Sequence, residues 1–410
     1  MSEKKLSFPK NKIKVLLLEK IDTVAKSIFE KEGYEIETFD TSLNEKELSE
    51  KIKDISILGI RSKTIITKKV LQSANRLLSI GAYCIGTNLI NLKECQKKGV
   101  IVFNAPYSNT RSVVEIVIAQ IIILMRNIII KSNQMHKGIW KKDSINSYEI
   151  RNKTLGIIGY GNIGSQLSVI AESLGLKVIY YDILDKLSIG NAKRYDSMKK
   201  LLKECDILSI HVDGREENTN LIGDKEINLM KKGAILINYS RGNIVNINSL
   251  KRNLKNNKLL GAAIDVFPKE PLNNKEKFKS DLIGLNNVIL SPHVGGSTKE
   301  AQKNIGSFVP QKIIEYINSG NSSNSINFPN LSLPEQKEAH RFIHIHKNEP
   351  GIMLKINKIL SDYNINIVGQ YLKTNESIGY VITDINNEYN KQVIQSLRKI
   401  HGTIRLRVLY

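Results

Sequence analysis

The sequence predicts an α/β protein: two doubly wound parallel-sheet domains followed by a smaller module with βαββαβ order. Three observations predict it. Short apolar runs of strand length alternate with segments of helical periodicity from Lys12 to about Thr298, the pattern of doubly wound sheets. A glycine triplet in G-x-G-x-x-G spacing, Gly159, Gly161 and Gly164, directly follows one of those runs. Beyond an Asn-, Ser- and Pro-rich stretch from Asn318 to Pro334 the rhythm changes to alternating strands and two helices.

The glycine stretch carries the most information. Leu155 to Ile158 reads as a buried parallel strand, and Ile163, Leu167, Ile170 and Leu174 follow with helical spacing. A second apolar run, Val178 to Tyr181, ends at Asp182. This is a complete Rossmann-like βαβ half. Gly159 permits the tight turn, Gly161 lets backbone approach a pyrophosphate, and Gly164 lets helix and strand pack closely. A pyrophosphate is favoured at the helix N-terminus, where free N–H groups meet the positive end of the dipole. The Asp182 carboxylate can accept from an adenosine ribose and would repel a 2′-phosphate, so the expected cofactor is NAD rather than NADP.

The other elements follow in order. Strand runs are expected at Lys12–Leu18, Glu35–Thr38, Ile55–Ile60 and Leu77–Ile80, with helices at Thr23–Glu32, Glu45–Ile52 and Lys68–Gln72. The third run ends at Arg61-Ser62-Lys63, and ligands of such sheets bind at the carboxyl ends of strands. A turn-rich boundary around Asn104 to Thr110 leads into one long helix from about Ser112 to Asn127, the crossover to the second domain. After Asp182, strands Asp206–His211, Ala234–Asn238, Gly261–Val266 and Val288–Ser291 alternate with helices Met198–Lys203, Glu226–Met230 and Asn248–Asn256. The last three strands deliver Tyr239-Ser240-Arg241, the acids Asp265 and Glu270, and His293-Val294-Gly295-Gly296. Glu300 to Ile317 is helical and returns to the first domain. Asn318 to Pro334 reads as a linker. Strands Ala339–His346, Asn366–Lys373, Ser377–Ile385 and Thr403–Tyr410 with helices Gly351–Tyr363 and Glu388–Ile400 complete a ferredoxin-like module.

Composition limits the function classes. A chain of 410 residues with 41% hydrophobic content has room for two or three cored domains. The first 14 residues are polar and lysine-rich, without a targeting signal. Val113 to Ile130 is apolar but interrupted by Glu115, Gln120, Arg126 and Asn127, so a buried helix is expected rather than a membrane span. Cys84, Cys95 and Cys205 are scattered and odd in number, which fits a reducing cytoplasm and points to neither disulfides nor a metal site. The formal net charge of +21 comes from lysines spread along the whole chain beside abundant Ile and Asn. Such a charge can mark a nucleic-acid or membrane-surface partner, but its even spread argues against a dedicated nucleic-acid role, and a modest positive field suits an anionic substrate. The single tryptophan, Trp140, is flanked by lysines and suits either an interface anchor or local packing.

The strand-end residues form a chemical set. Removing hydride from a secondary alcohol requires a group to take the hydroxyl proton, and imidazole titrates near neutrality. A carboxylate beside it orients the ring and favours imidazolium. A bidentate arginine suits a substrate carboxylate. His293, Glu270 and Arg241 supply these three parts. Taken singly, each also suits an ordinary turn or surface pair.

The segments GYGNIG, SRGNIVN, AAIDVFPKEP and SPHVGGST are similar to signatures of the D-2-hydroxyacid dehydrogenase family. RSKTIIT, IGAYCIGTNLINL, VFNAPYSNTRSVVEIVI and the terminal module further resemble its members that oxidise 3-phospho-D-glycerate, the first step of L-serine biosynthesis. The resemblance spans nearly the whole chain. It implies Arg241 and Glu270 as catalytic and His293 as proton donor and acceptor. It places NAD against Gly159, Gly161, Asn162, Ile163, Gly164, Asp182, Tyr239, Ser240, Arg241, Asp265, His293, Val294, Gly295 and Gly296. It puts Arg61, Ser62, Lys63 and Asn109 around the substrate.

It also implies an NAD-binding domain at 108–297 inserted into a substrate domain formed by 1–107 and 298–334. The terminal module at 339–410 resembles an ACT domain, which implies L-serine as effector at His346, Asn348 and Asn366 and a homo-oligomer, in this family commonly a tetramer. Two departures stand out: the stretch Asn321 to Pro350 contains no glycine to act as a hinge, and Lys63 stands where an arginine would give a bidentate contact. Tyr239 is bulky enough to narrow the cofactor cleft. Alternative readings are a related dehydrogenase acting on glyoxylate, hydroxypyruvate or 2-oxo/2-hydroxyglutarate, or a noncatalytic NAD-sensing corepressor, which would have no need of the triad.

Overall fold

A computed structural model describes residues 9–271, 276–334, 340–386 and 389–409. It contains three sheets. The first is parallel: β1 (Lys14–Leu17), β2 (Glu35–Thr38), β3 (Ile57–Ile60), β4 (Ser79–Ala82) and β5 (Ile101–Phe103), in the order β2-β1-β3-β4-β5. The second, also parallel, has β6 (Thr154–Ile158), β7 (Lys177–Tyr181), β8 (Lys193–Arg194), β9 (Ile207–Ile210), β10 (Ala234–Asn238), β11 (Leu259–Ile264) and β12 (Val288–Leu290), ordered β12-β11-β10-β9-β6-β7-β8. The third is antiparallel: β13 (His340–Lys347), β14 (Ile367–Thr374), β15 (Ile378–Ile385) and β16 (Thr403–Leu409), ordered β14-β15-β13-β16. Both parallel sheets have central strands buried on both faces, which is why they read as unbroken apolar runs. The short strands β5 and β8 carry too little periodicity to be read from the sequence.

The chain forms two compact units, one of residues 1–108 with 302–410 and one of 109–301. In the first unit, the returning helix Lys299–Ser319 places Val309, Ile313 and Tyr316 in one core with Ile57 and Phe103 of the first sheet and Ile343, Ile345 and Tyr380 of the third. One face of the antiparallel sheet is therefore buried against that helix. The other holds Phe342 against Ile356, Leu360 and Leu397 of the module's own helices.

Two expectations are corrected. The helix expected to run unbroken to Asn127, within an apolar stretch reaching Ile130, ends at Met125, and a second helix, Ile128–His136, starts at an angle of 69° to it. Asn127 makes the break in a left-handed conformation (φ 54°), one that an asparagine side chain tolerates. Ile128 beyond it is 45% exposed, so burial stops at the break. No single described helix is long and apolar enough to cross a membrane.

The stretch expected as a linker is anchored. Asn327 is buried and treats the edge of β5 as a strand would, its Oδ1 accepting from Val102 N (2.9 Å) and its Nδ2 donating to Val100 O (2.9 Å). Ser322 donates to Pro329 O at 2.7 Å, closing the loop. Residues 335–339, which follow that linker and include Ala339 at the head of an expected strand, lie outside the described residues, as do the polar N-terminal residues 1–8, Glu388 and Tyr410. Tyr239, expected beside the cofactor, is buried, and its hydroxyl lies 3.2 Å from Ser291 Oγ.

Cys95 and Cys205 are buried, which pushes both thiols up to about 12 and leaves them unreactive. The antiparallel sheet is tied to the returning helix by Arg341. Its Nε and Nη2 donate to the Asp384 carboxylate at 2.7 and 2.9 Å, Nη1 to Ser319 O at 2.9 Å and Nη2 to Pro334 O at 2.9 Å. Both side chains are almost fully buried, so the pair cannot lose one member cheaply. Asp384→Ala should lower unfolding stability by about 3–5 kcal/mol, while the paired change Arg341→Met with Asp384→Leu recovers most of it. Urea unfolding midpoints of the three chains check this.

Candidate active site

The nucleotide-binding geometry begins where β6 ends. Gly159 has φ +91°, and a Cβ there would come within 2.6 Å of His211 O. A Cβ on Gly164 would come within 2.3 Å of Gly159 O, so helix and turn pack without room for a side chain. Gly161 differs: nothing lies within 4 Å of its would-be Cβ, so the approach to its backbone is open. Asn162 and Ile163 begin the helix Asn162–Ser173, which no side chain caps. Its first N–H groups are thus available to an anion. Asp182 follows β7, its carboxylate accepting from Tyr160 N at 2.7 Å and Leu184 N at 2.9 Å. The acid is thereby fixed beside the glycine turn with lone pairs left for ribose hydroxyls. A closely packed turn, an open Gly161 and a positioned acid fit a dinucleotide of the NAD type.

The chemical residues stand at the ends of β10, β11 and β12. After β10, Asn238 clamps the turn: its Oδ1 accepts from Ser240 N and Ser240 Oγ (3.1 and 2.7 Å), and its Nδ2 donates to Arg241 O at 3.0 Å. Arg241 makes one side-chain hydrogen bond, Nη1 to Ser240 O at 2.7 Å, and no carboxylate among the described residues pairs with it. Gly242 must be glycine, since a Cβ would overlap the backbone of Phe267 at 1.9 Å.

After β11 comes Asp265, 1% exposed. Expected at the cofactor, its carboxylate accepts from Ser291 Oγ (2.6 Å), Val294 N (2.9 Å) and Gly295 N (2.8 Å). Its carbonyl accepts from His293 N at 2.8 Å. Asp265 therefore fixes the turn after β12. Within that turn His293 has φ 55°, a left-handed conformation costing about 1–3 kcal/mol, of the kind that persists where surroundings over-determine it. Gly295 lies against Tyr239 and Asp265, and Gly296 against Asn109 Nδ2, so Asn109 belongs to this turn's surroundings.

The strained turn presents the His293 ring to Glu270, with Nδ1 and Oε2 2.8 Å apart. Glu270 Oε1 also accepts from Phe267 N at 3.1 Å, which orients the carboxylate. The hydrogen bond to Glu270 raises the His293 pKa above the ordinary imidazole range against the opposing effect of burial. Burial alone would raise Glu270; the bonds from His293 and Phe267 N outweigh it and lower its pKa. Both side chains keep part of their surface, 52% and 35%, so solvent tempers the coupling. With Nδ1 engaged, Nε2 is the nitrogen free to exchange a proton. His211, the other histidine near the glycine turn, is half-buried; burial lowers its pKa to about 3, which leaves it neutral and unsuited to that task.

In the other compact unit, Arg61, Ser62 and Lys63 form the turn after β3. Ser62 and Lys63 are exposed and Arg61 is half-buried, and among the described residues neither cation pairs with a carboxylate. The sequence reading missed Glu19, whose buried carboxylate accepts from Ser62 N, Lys63 N and Thr64 N at 2.9, 3.0 and 2.8 Å. The signal was there: Glu19 ends the run KVLLLE as Asp182 ends VIYYD. Asn238 and Ser291 were also missed, because a polar residue that closes an apolar strand run carries no signal of which turn it will bond.

The expected effector residues do not converge within one chain. His346 is buried, opposite Gly379 on β15, with Nδ1 2.6 Å from Lys347 O and Nε2 lacking a hydrogen-bond partner. Asn348 is exposed nearby and donates to Asn375 O at 2.8 Å. Asn366 precedes β14 at the opposite end of the sheet, where Ile367 pairs with Ile385. Six residues along β15 (379 to 385) separate the two places, about 20 Å of strand.

Gly159→Ala should weaken NADH binding at least about tenfold without changing the fold of the other compact unit, because the new methyl meets backbone and the φ is left-handed. Fluorescence titration with NADH checks this.

Residues 118–295 match the family model described as D-isomer specific 2-hydroxyacid dehydrogenase, NAD binding domain, and residues 342–405 match the AHAS small subunit-like ACT domain. The chain is 48% identical over 404 residues to D-3-phosphoglycerate dehydrogenase of Dictyostelium discoideum, covering 98% of this chain and 99% of that one. It is 44% identical over 409 residues to the enzyme of the same name from Escherichia coli K12, covering 99% and 100%. Among solved structures it is similar to D-2-hydroxyisocaproate dehydrogenase (TM-score 0.67, 25% identity, 77% of this chain and 100% of that one). It is also similar to Aquifex aeolicus D-lactate dehydrogenase complexed with NAD and lactic acid (TM-score 0.64, 25% identity, 74% and 95%). With the glycine turn, the acid after β7 and the histidine–glutamate pair in place, these likenesses fix the assignment: the chain belongs to the D-isomer specific 2-hydroxyacid dehydrogenase family, as an NAD-dependent member of its D-3-phosphoglycerate dehydrogenase group with a C-terminal ACT domain.

Proposed function

We propose that the chain oxidises 3-phospho-D-glycerate with NAD to 3-phosphohydroxypyruvate, the first step of L-serine biosynthesis. The observation that carries this reading is the His293–Glu270 pair, held at 2.8 Å beside Arg241, which pairs with no carboxylate among the described residues. The nearly full-length relatives named for that reaction supply the substrate.

NAD, when bound, supplies the hydride acceptor for C2 of the substrate; Gly159, Gly161, Gly164, Asn162, Ile163 and Asp182 would hold its diphosphate and ribose, and residues 239–241 and 293–296 its nicotinamide half. The chain's own chemistry is the rest. Arg241 holds the substrate carboxylate. His293 Nε2 takes the C2 hydroxyl proton as the ketone forms, and returns it in the reverse direction. Glu270 keeps the ring oriented through Nδ1 and stabilises the imidazolium. Arg61, Ser62 and Lys63 hold the phosphate. A corepressor reading gains nothing from a histidine–carboxylate pair of this kind.

L-serine is the effector this reading favours. His346 and Asn348 at one end of the antiparallel sheet and Asn366 at the other would complete one site only with a second chain, which fits a side-by-side pairing of ACT domains and a homo-oligomer, a tetramer in this reading. A cytoplasmic location accords with the free cysteines.

His293→Ala should lower kcat by about 10²–10⁴-fold with 3-phosphoglycerate while NADH still binds. Absence of turnover of 3-phosphoglycerate by the unmodified chain, alongside turnover of an unphosphorylated 2-hydroxy acid, would overturn the substrate. The pH dependence has a definite sign. Glu270 raises the His293 pKa, so the protonated ring needed for ketone reduction persists to higher pH than for a free imidazole. Glu270→Gln removes that support, and the falling limb of the reduction profile, with the rising limb of oxidation, should move to lower pH. Initial rates in both directions across pH 5–10 (a range of about five units around the imidazole value) check this.

Regulation is tested with mixed oligomers. His346→Ala and Asn366→Ala should each abolish inhibition by L-serine alone, and co-refolded mixtures should regain part of it. No recovery would place the site within a single chain.

A further inference from the structure

We infer that Glu19 is a positioning residue for the substrate phosphate: its buried carboxylate sets the shape of the Arg61–Thr64 turn that receives it. The inference rests on the substrate reading above, and four observations carry it.

The first is topological. In the order β2-β1-β3-β4-β5 the strand order reverses between β1 and β3, and ligands of such sheets bind outside the carboxyl ends at that reversal. Glu19 follows β1 and the Arg61–Lys63 turn follows β3, so the two stand side by side at the switch point. The second is the bonding. Three successive N–H groups, of Ser62, Lys63 and Thr64, converge on one carboxylate at 2.8–3.0 Å, and Arg61 Nη1 reaches the Glu19 carbonyl at 3.4 Å. Three donors in a row turned to one side fix the backbone of the whole turn.

The third is conformational. Glu19 and its neighbour Lys20 both have positive φ, 65° and 51°, without being glycine. Leu18 N donates to Gly59 O, Glu19 N to Thr41 O and Lys20 N to Phe39 O, so the unusual backbone is pinned by β3 and by the segment that follows β2. Strain of this type held in place by its surroundings collects at binding sites. The fourth is charge. Glu19 is 7% exposed and spends its carboxylate on backbone, while none of Lys20, Arg61 and Lys63 is neutralised by a carboxylate among the described residues. The acid beneath the turn thus organises it without consuming the cations above it. From the other side, Cys84 Sγ donates to Arg61 O at 3.3 Å, so the turn is held on both flanks.

The conservative change Glu19→Gln keeps the shape, replaces one acceptor oxygen by an NH₂ donor set against N–H groups, and removes the charge. The expected result is a rise of about tenfold in KM for 3-phosphoglycerate, with kcat within about twofold and NADH affinity unchanged. The inhibition constant of inorganic phosphate, competitive with substrate, should rise in parallel. Glu19→Asp, which keeps the charge but withdraws it by one methylene, should fall between the two and serves if the glutamine variant does not fold. An unchanged KM in Glu19→Gln would overturn the inference, as would a fall in kcat, NADH affinity and melting temperature together, the mark of general unfolding. An equal rise in KM for D-glycerate, which lacks the phosphate, would overturn the phosphate role. Failure of the unmodified chain to turn over 3-phosphoglycerate would remove the substrate reading, and this inference with it.

Discussion

The reactive geometry depends on one buried carboxylate. Asp265 accepts three hydrogen bonds from Ser291, Val294 and Gly295, and its carbonyl takes a fourth from His293 N. Four bonds to a single residue hold the turn after β12 closed and keep His293 at a left-handed φ that its side chain would otherwise abandon. Only in that conformation does the ring meet Glu270. Tyr239 and Gly295 fill the remaining space, so the turn can neither open nor collapse. The acid–base pair is thus a surface feature resting on a buried one.

The same device serves the first unit. There Glu19 receives three backbone N–H groups from the turn after β3, beside two left-handed residues. In both places a carboxylate at the end of one strand fixes the turn at the end of its neighbour. Parallel sheets favour this arrangement because all strand ends of one kind lie together, and the turns there have donors that the ladder does not use. It also reconciles a basic chain with ordered acids. Glu19 and Asp265 are spent largely on backbone N–H groups, and among the described residues Arg61, Lys63 and Arg241 pair with no carboxylate.

The third sheet is fastened by a different means. Arg341 satisfies its donors on Asp384 and two carbonyls, and Ile343, Ile345 and Tyr380 join a core shared with the returning helix. The glycine-free stretch that precedes the sheet is anchored along Asn321–Leu331 by Asn327 and Ser322. Together these contacts give the ACT domain a firm seat on the returning helix.

The sequence by itself determined the two wound domains, the glycine turn with Asp182, and the order in which arginine, acids and histidine leave successive strands. Apolar periodicity and glycine spacing are local, and local patterns decide which segments become strands and which turns must lack a Cβ. It did not reveal that the helix after Thr110 breaks at Asn127, that Asn327 doubles as an edge strand, or that Tyr239 lies buried under the histidine turn. The first turns on one left-handed asparagine; the other two depend on a neighbour distant in the chain. Above all, Asp265 and Glu19 read from the sequence as a ligand contact and as an unremarked acid. The tertiary structure made both into clamps, because what a buried carboxylate does is set by which N–H groups the fold turns toward it.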